Sequence, residues 1–420
     1  WPVWSLCFPG RVGTLKREVR RTKDREFWRD NGIFGAASLI AGLFNYLYHV
    51  VLAHVLGPRH YGDLTTFLNV TAFLVLPAPV VTLVYTRMGK KLRKGRRQAW
   101  YLWGGGVAIW LALAAASPFL GRLLHVSPFL LVVFTLEVVP SFALAANVGI
   151  LQRVRWYVWA GLLTVLNTGF RVIAAGIAVV FHRYPLFWVG LLEGVAAWVT
   201  WSVSRRPTER APAAGDPSRV EVISGTAVVG VINVLFSIVD GLLAKHSLGA
   251  IQAGRYNGLA TIGHTIQFIS GSFGTVMLTS ILADPARKWR FLGISGLVYG
   301  SIALAAEGVF IFYGRWVVTM ILGRHFLPIV GFLPQFGWGM MALGLLNILM
   351  LFSVAENRWA VIGTTGLGLI WWVGRLLYSH SVAAFVASTT GTLLGVLGVT
   401  VGLWAWREGA GRGGGGQRSW

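Results

Sequence analysis

Residues 41–87 contain two apolar runs separated by one short polar turn, and this pattern constrains the fold of the chain most strongly. Each run has about the ~20 residues that an α-helix needs to cross ~30 Å of hydrocarbon. Gly57 and Pro58 close the first run. Glycine suits the C-terminus of a helix, and proline cannot continue one. The segment therefore predicts a helical hairpin through a membrane.

The composition agrees with a membrane protein. Hydrophobic residues make up 55% of the chain and charged residues 12%, about half the charged fraction of a typical soluble domain. The single cysteine, Cys7, excludes a disulfide framework and a cysteine metal site. The net charge of +22 would suit nucleic acid, but the charges lie between the apolar runs, where the positive-inside rule explains them. We therefore expect a polytopic membrane protein and no nucleic-acid partner.

The apolar runs predict an all-α membrane protein with about 12 transmembrane helices. The predicted spans are residues 33–56, 64–86, 98–117, 128–151, 157–181, 184–203, 222–243, 256–282, 291–313, 327–352, 359–379 and 381–404. With a cytoplasmic N-terminus, the inner segments carry 28 of the 37 Lys and Arg residues, and the outer segments and their helix ends carry eight. This bias predicts that both termini are cytoplasmic.

A short repeat of the hairpin occurs almost half a chain later. Leu243 begins the run LAKHSLG, which resembles LAHVLG from Leu52, and Tyr256 begins YNGL, which resembles YGDL from Tyr61. The two offsets are 191 and 195 residues. Many secondary transporters consist of two such repeats, although apolar hairpins also resemble one another without any repeat.

The longest polar insert, residues 204–220, divides the predicted spans six and six, as a linker between two lobes would. The expected domains are a basic N-terminal arm (1–29), an N-terminal six-helix lobe (30–203), a cytoplasmic linker (204–221), a C-terminal six-helix lobe (222–404) and a disordered tail (405–420). The arm, with eight Lys and Arg, either binds anionic lipids at the cytoplasmic face or acts only as a topology signal.

Arg171 is the most informative ionisable residue within a span. Ionisable side chains are costly in lipid and usually face a cavity or a partner. As a functional group, the planar guanidinium of Arg171 would bind phosphate through two hydrogen bonds. As a structural group, it would pair with Glu137 or Glu193 and hold helices together. Both interpretations stay open on the sequence alone.

Other residues within or near the spans are candidates for coupling or gating. Asp240 and Lys245 flank one outer helix end, where they either hold an outer gate or neutralise each other. Pro77 and Pro79 lie mid-span and predict a kink, which serves either gating or packing. The candidate coupling or gating residues are therefore Glu137, Glu193, Asp240, Lys245, Pro77 and Pro79.

Several amide side chains lie within spans, where they can bind sugar hydroxyls or a neighbouring helix. The candidate substrate-binding residues are Arg171, Asn167, Asn45, Asn69 and Asn233. His49 and His264 could relay protons or make simple polar contacts.

No pattern for an enzyme is present in the sequence. A GxxxxGK[ST] phosphate loop, an HExxH zinc motif and Cys/His metal spacings are all absent. The predicted outer loops are too short to hold the active site of a membrane glycosyltransferase. We therefore expect no catalytic residues, no cofactor and no metal.

Three segments carry a resemblance to a known family. They are LAHVLGPRHYGDLTTF from Leu52, LLTVLNTGFRVIAAGIAV from Leu162 and VLFSIVDGLLAKHSLGAIQAGRYNGLATI from Val234. With the six-plus-six plan, they resemble the polysaccharide-transport (oligosaccharide flippase) branch of the multidrug/oligosaccharidyl-lipid/polysaccharide exporter superfamily. His54 departs from the pattern, because the family usually has arginine there.

The resemblance implies two six-helix lobes around a central cavity in the plasma membrane of a bacterium or archaeon. It implies alternating-access flipping of polyprenyl-pyrophosphate-linked oligosaccharide to the outer leaflet for cell-surface polysaccharide synthesis. The expected partners are this lipid-linked oligosaccharide, a polysaccharide polymerase and glycosyltransferases. The alternatives are a cation-coupled multidrug exporter of the same superfamily and a non-transporting membrane scaffold for polysaccharide enzymes. A mainly acidic, aromatic-lined cavity would count against the flippase.

Overall fold

The computed structural model describes residues 9–93, 96–154, 156–181, 183–210 and 220–413, and every regular element in these ranges is a helix. Helices suit a chain in lipid because all their backbone hydrogen bonds lie within one segment. The α-helices are α1 (Pro9–Leu74), α2 (Ala78–Arg93), α3 (Arg96–Leu123), α4 (Pro128–Phe134), α5 (Val138–Arg153), α6 (Tyr157–Val180), α7 (Pro185–Arg210), α8 (Val220–Ser247), α9 (Ala250–Ala283), α10 (Lys288–Ile321), α11 (Leu333–Ala355), α12 (Ala360–Leu377) and α13 (Val382–Gly413). Short 3-10 helices occur at Thr135–Glu137, Pro285–Arg287 and Arg324–Phe332.

Helix α1 bends back on itself at the predicted turn. Gly57 has φ 64° and ψ 176°, which no α-helix contains, and the left-handed φ favours glycine. His49 Nδ1 and the Tyr61 hydroxyl lie 3.0 Å apart. A straight helix would separate these two residues by about 18 Å along its axis. The predicted hairpin is therefore confirmed.

Each predicted span corresponds to one helix or to one interrupted helix. In the described ranges, eleven segments are long and apolar enough to cross a membrane, and the first of them, Leu39–Leu74, contains both sides of the hairpin. The second predicted span continues through a turn at residues 75–77 into α2. Pro77 lies in that turn, because its ring nitrogen cannot donate a helical hydrogen bond. Pro79 lies in the first turn of α2, where proline is tolerated.

The helices form two lobes of six spans. Helices α1–α7 pack mainly on one another, helices α8–α13 do the same, and the α1 hairpin connects the lobes through α8 and α9. The exact domain limits stay predictions. Helix α7 continues through the first residues of the predicted linker to Arg210, and residues 211–219 lie outside the described ranges.

The predicted disordered tail needs a correction, because helix α13 continues through Gly413. Residues 405–408 contain no glycine or proline that would end the helix near Trp404, and the helix continues through Gly409 and Gly411. Residues 414–420 lie outside the described ranges. At the other end, α1 begins at Pro9, so residues 9–29 of the predicted basic arm are helical, and residues 1–8 are not described.

The two halves share one helix-to-helix contact, which supports the repeat. In the first half, His49 contacts the Tyr61 hydroxyl at 3.0 Å. In the second half, the Tyr256 hydroxyl donates to Asp240 Oδ2 at 3.0 Å. His49 and Asp240 are 191 residues apart, and the two tyrosines are 195 apart, the same offsets as in the sequence repeat.

The lobes touch backbone to backbone beside the tip of the α1 hairpin. A Cβ placed on Gly254 of α9 would lie 1.7 Å from the Pro58 carbonyl oxygen, and a Cβ on Gly62 would lie 2.8 Å from Gly254 Cα. No side chain larger than hydrogen fits at Gly254 without moving one lobe. The charge bias of the sequence predicts that this end faces away from the cytoplasm.

The variant Gly254→Ala should destabilise this arrangement of the lobes. Overpacking of this kind typically costs about 1–3 kcal/mol, because the backbone must shift. The matched control is Gly271→Ala on the same helix, where a Cβ would meet nothing within 4 Å. Thermal unfolding of the purified protein in detergent should show a lower midpoint for Gly254→Ala and no loss for Gly271→Ala. Equal midpoints would contradict the close contact.

Candidate functional site

A cavity of about 570 Å³ lies where the two lobes meet, between the α1 hairpin, α6, α8, α9 and the Thr135–Glu137 turn. Most of its polar lining is neutral and able to form hydrogen bonds: Asn45, Thr65, Asn69, Ser237, Asn257, Thr261 and Thr265. The charged or titratable lining consists of His49, Glu137, Arg171, Asp240 and His264. Tyr46 and Phe268 add aromatic surface, and with Leu68, Val75 and Ile238 they make most of the lining surface apolar.

Arg171 lines this cavity and is also paired, so the structure combines the two interpretations of the sequence. Its Nη2 lies 3.6 Å from Glu137 Oε2, and its Nε lies 3.9 Å from Glu193 Oε1. Its Nη1 donates to Asn45 Oδ1 at 3.4 Å. The side chain of Arg171 is 23% exposed, whereas that of Glu193 is 1% exposed. Arg171 therefore lines the cavity while its guanidinium is paired with the carboxylates of Glu137 and Glu193.

The other candidate asparagines divide into two groups. Asn45 and Asn69 line the cavity. Asn167 lies one helical turn before Arg171 on the same face of α6 but is not part of the cavity lining. Asn233 also lies outside the lining, because its amide donates to Asn347 Oδ1 at 2.7 Å and accepts from Gln267 Nε2 at 3.3 Å. Asn233 thus connects helices of the C-terminal lobe.

Asp240 and Lys245 do not pair with each other. The interpretation that these two residues neutralise each other is therefore wrong. Five residues on an α-helix turn the side chain by about 140°, so the two groups lie on different faces. Asp240 accepts from the Tyr256 hydroxyl at 3.0 Å and from the Gly241 amide at 2.7 Å. Its Oδ2 lies 3.7 Å from His264 Nε2.

Lys245 instead pairs with Asp63 of the α1 hairpin at 2.5 Å. The lysine side chain is only 2% exposed, whereas that of Asp63 is 20% exposed. It links the two lobes beside the Gly254 contact. Sequence reasoning missed Asp63, although it lies in the YGDL motif that supports the repeat.

Sequence reasoning also missed the hydrogen-bonding residues of α9. The Thr261 hydroxyl lies 3.0 Å from the Tyr61 hydroxyl, and this contact joins the lobes at the cavity wall. The Nδ2 of Asn257, a residue that is 3% exposed, has no hydrogen-bond partner. Asn257 directly follows Tyr256, and Thr261 lies one helical turn after Asn257, so the repeat motif was the signal that could have located them. Pro77 and Pro79 lie outside the cavity lining.

No protein-family model and no curated protein matches this chain. Among solved structures, it is similar to the lipid II flippase MurJ in an inward closed conformation, with a TM-score of 0.69, 13% identity, and coverage of 88% of this chain and 87% of that chain. It is also similar to an inward-facing multidrug resistance MATE family transporter of the MOP superfamily, with a TM-score of 0.67, 13% identity and coverage of 90% and 96%. For the eukaryotic MATE transporter AtDTX14, the TM-score is 0.56, the identity 13% and the coverage 90% and 96%. The chain therefore has the fold of the multidrug/oligosaccharidyl-lipid/polysaccharide exporters.

Removal of the Arg171 guanidinium should destabilise the protein, and removal of a carboxylate should compensate. Arg171→Ala leaves Glu137 and Glu193 without their cation, and breaking a fully buried pair typically costs about 3–5 kcal/mol. Because Arg171 is partly exposed, we expect a smaller loss of about 1–3 kcal/mol. Glu193→Gln added to Arg171→Ala should recover much of the lost thermal midpoint. The control Arg59→Ala removes an exposed cation and should change little, and absence of recovery in the double variant would contradict the pairing.

Proposed function

We propose that this chain is a flippase that moves polyprenyl-pyrophosphate-linked oligosaccharide to the outer leaflet of the plasma membrane. The observation that carries this proposal is the neutral, hydrogen-bonding wall of the cavity between the lobes. Seven amide and hydroxyl side chains in this lining can form hydrogen bonds with a polyhydroxylated headgroup. The fold of lipid and drug exporters supports a transport function.

In this proposal, Arg171 receives the phosphate end of the substrate. A diphosphate that leaves water for a low-dielectric path needs a nearby cation, and Arg171 supplies one at the cavity surface. The guanidinium can only bind two phosphate oxygens if it first loosens its contacts with Glu137 and Glu193. At 3.6 Å and 3.9 Å, these contacts are longer than hydrogen bonds, which favours such an exchange.

Alternating access would require the contacts at the hairpin tip to open. Gly254 against Pro58 and the Lys245–Asp63 ion pair hold the lobes together on the predicted outer side of the cavity. The two solved structures reported above with the higher TM-scores are an inward closed and an inward-facing conformation. We therefore propose that the conformation described here is the one with its outer side closed.

A cation-coupled multidrug exporter is the second candidate, because carboxylates outnumber fixed cations at the cavity. Glu137 and Asp240 line it, and Glu193 lies behind Arg171. An organic cation would bind such carboxylates beside Tyr46 and Phe268. Neutral groups nevertheless predominate in the polar lining, so the cavity is not mainly acidic.

Reconstitution separates these functions. Purified protein in liposomes should move a fluorescent polyprenyl-diphosphate oligosaccharide between leaflets, and Asn69→Ala should slow this movement by about tenfold if two substrate hydrogen bonds are lost. The matched control is Asn147→Ala. The Asn147 amide donates to the Ser204 hydroxyl at 2.7 Å, and Asn147 is not part of the cavity lining. Movement of a fluorescent organic cation, but not of the lipid-linked sugar, would favour the exporter. No movement of either, with stable capture of a polysaccharide polymerase or glycosyltransferase, would favour a scaffold.

Alternating access predicts state-dependent crosslinking across the hairpin tip. Cysteines at Arg59 and Arg255, introduced after Cys7 is replaced, adjoin the contact of Pro58 with Gly254. A short bifunctional thiol reagent should join them in the resting protein and much less during substrate turnover. After proteolytic cleavage of the chain between the lobes, gel electrophoresis would give the yield, because only crosslinked fragments stay joined. Equal yields with and without substrate would indicate a fixed arrangement of the lobes.

A further inference from the structure

A second, smaller cavity lies at the predicted cytoplasmic end of the C-terminal lobe, between the end of α11, α12 and α13. Its volume is about 60 Å³, roughly a tenth of that of the cavity between the lobes. Phe352, Val361, Leu403 and Trp404 supply apolar walls, and Arg358 is the only charged side chain among the described lining residues. Leu403 is 43% exposed and Arg358 is also exposed, so the cavity opens outward beside a cation.

The turn between α11 and α12 places Arg358 at this opening. Asn357 has φ 54°, a left-handed conformation that commonly follows the last residue of a helix. The Asn357 amide donates to the Val354 carbonyl at 3.2 Å, and the Arg358 amide donates to the Ser353 carbonyl at 2.8 Å. These two bonds satisfy carbonyl groups of the last turn of α11. The position of Arg358 therefore follows from the way in which α11 ends.

An aromatic cluster borders the cavity on the side of α10. The ring of Trp289 stacks on that of Trp404, with 5.3 Å between the centroids. The Phe352 ring lies 5.4 Å from each of these two rings. Tryptophan is enriched where a membrane meets water, because its ring is apolar and its N–H group is polar. The cluster therefore indicates that the cavity lies at the depth of the lipid headgroups.

The hydroxyl groups of the lining are all hydrogen-bonded within the protein, so the interior of the cavity favours an apolar occupant. The Ser353 hydroxyl donates to the Leu349 carbonyl at 2.9 Å, and the Thr364 hydroxyl donates to the Val361 carbonyl at 3.0 Å. Thr400 Oγ1 lies 3.3 Å from Thr364 Oγ1. An alkyl chain would leave these bonds intact and would contact the apolar walls.

The protein surface around the opening carries an excess of positive charge. Residues 284–290 and 356–358 contain four lysines and arginines but only two carboxylates, so their formal charge is +2. The two ion pairs on this surface are Lys288–Glu356 and Arg287–Asp284. Both carboxylates are therefore already paired with a cation. An anionic group from outside the protein would reduce the remaining excess charge.

We propose that this cavity binds an anionic phospholipid of the cytoplasmic leaflet, with the phosphate at Arg358 and part of one acyl chain between α12 and α13. This inference does not depend on the proposed function. A guanidinium can form two hydrogen bonds to a phosphate group. A zwitterionic phospholipid also has a phosphate, but it carries a cation that the positive surface repels. The site therefore prefers an anionic headgroup.

Photo-crosslinking tests the site on the purified full-length chain in phosphatidylcholine nanodiscs. Each sample contains a trace of a phospholipid with a diazirine in one acyl chain and a phosphatidylglycerol or a phosphatidylcholine headgroup. Mass spectrometry gives the labelling of residues 360–364 and 400–404, relative to the lipid-exposed residues 297–313 of α10. The phosphatidylglycerol lipid should label the cavity about fivefold more strongly, which is the effect of one arginine near an anionic headgroup.

Variants separate the headgroup contact from the chain contact. Arg358→Gln should lower the ratio of the two labelling yields towards one. Arg358→Lys keeps the charge, should keep most of the ratio, and provides a second measurement if Arg358→Gln fails to fold. Ala360→Leu narrows the cavity and should lower the labelling by both lipids. The matched control is Arg205→Gln, because Arg205 is an exposed cation 5.3 Å from the Trp201 ring, at the same predicted membrane face but outside this cavity.

Four results would overturn the site. The first is equal labelling of the cavity by both lipids in the wild type, and the second is unchanged labelling in Ala360→Leu. The third is an equal loss of the ratio in Arg205→Gln and Arg358→Gln, which would show that total surface charge attracts the lipid. The fourth is displacement of the label by unlabelled polyprenyl diphosphate but not by phosphatidylglycerol, which would assign the cavity to a transport substrate.

Discussion

The close contact between Gly254 and the carbonyl of Pro58 fixes how the two halves of the molecule meet. With no side chain between them, the backbones of α1 and α9 touch at one end of the lobe interface. The Tyr61–Thr261 contact joins the same two helices farther along, and the Asp63–Lys245 pair joins α1 to the end of α8. Farther along, both helices contribute residues to the lining of the cavity. This glycine contact therefore sets how closely the two lobes approach at that end.

Buried charge is the second constraint on this site. A lone guanidinium in the middle of a span is too costly, so Arg171 is held by carboxylates from two other helices of its own lobe. The long distances of these contacts leave the group partly free to turn toward the cavity. Two carboxylates for one cation also leave an excess negative charge when all three groups are ionised.

The sequence predicted what local chemistry determines. Apolar run length located the spans, and Gly57 with Pro58 located the hairpin, because helix termination depends on neighbouring residues alone. It did not predict partners across the interface. Lys245 was considered with Asp240, five residues away, but it pairs with Asp63, 182 positions away. Asn233 was a candidate substrate-binding residue, but its amide forms a hydrogen bond with Asn347 of α11. Which polar group meets which depends on how whole helices dock, and no local pattern encodes that.

The repeat explains why the cavity has two chemically different sides. His49 and Asp240 occupy equivalent positions, and each contacts the equivalent tyrosine on the next helix. The shared contact keeps the same packing in both halves, while the change from imidazole to carboxylate alters the charge that each half presents. The N-terminal half adds Arg171 to its side, and the C-terminal half adds His264 near Asp240. The same packing in the two halves therefore carries different polar groups, with Arg171 on one side of the cavity and Asn257 and Thr261 on the other.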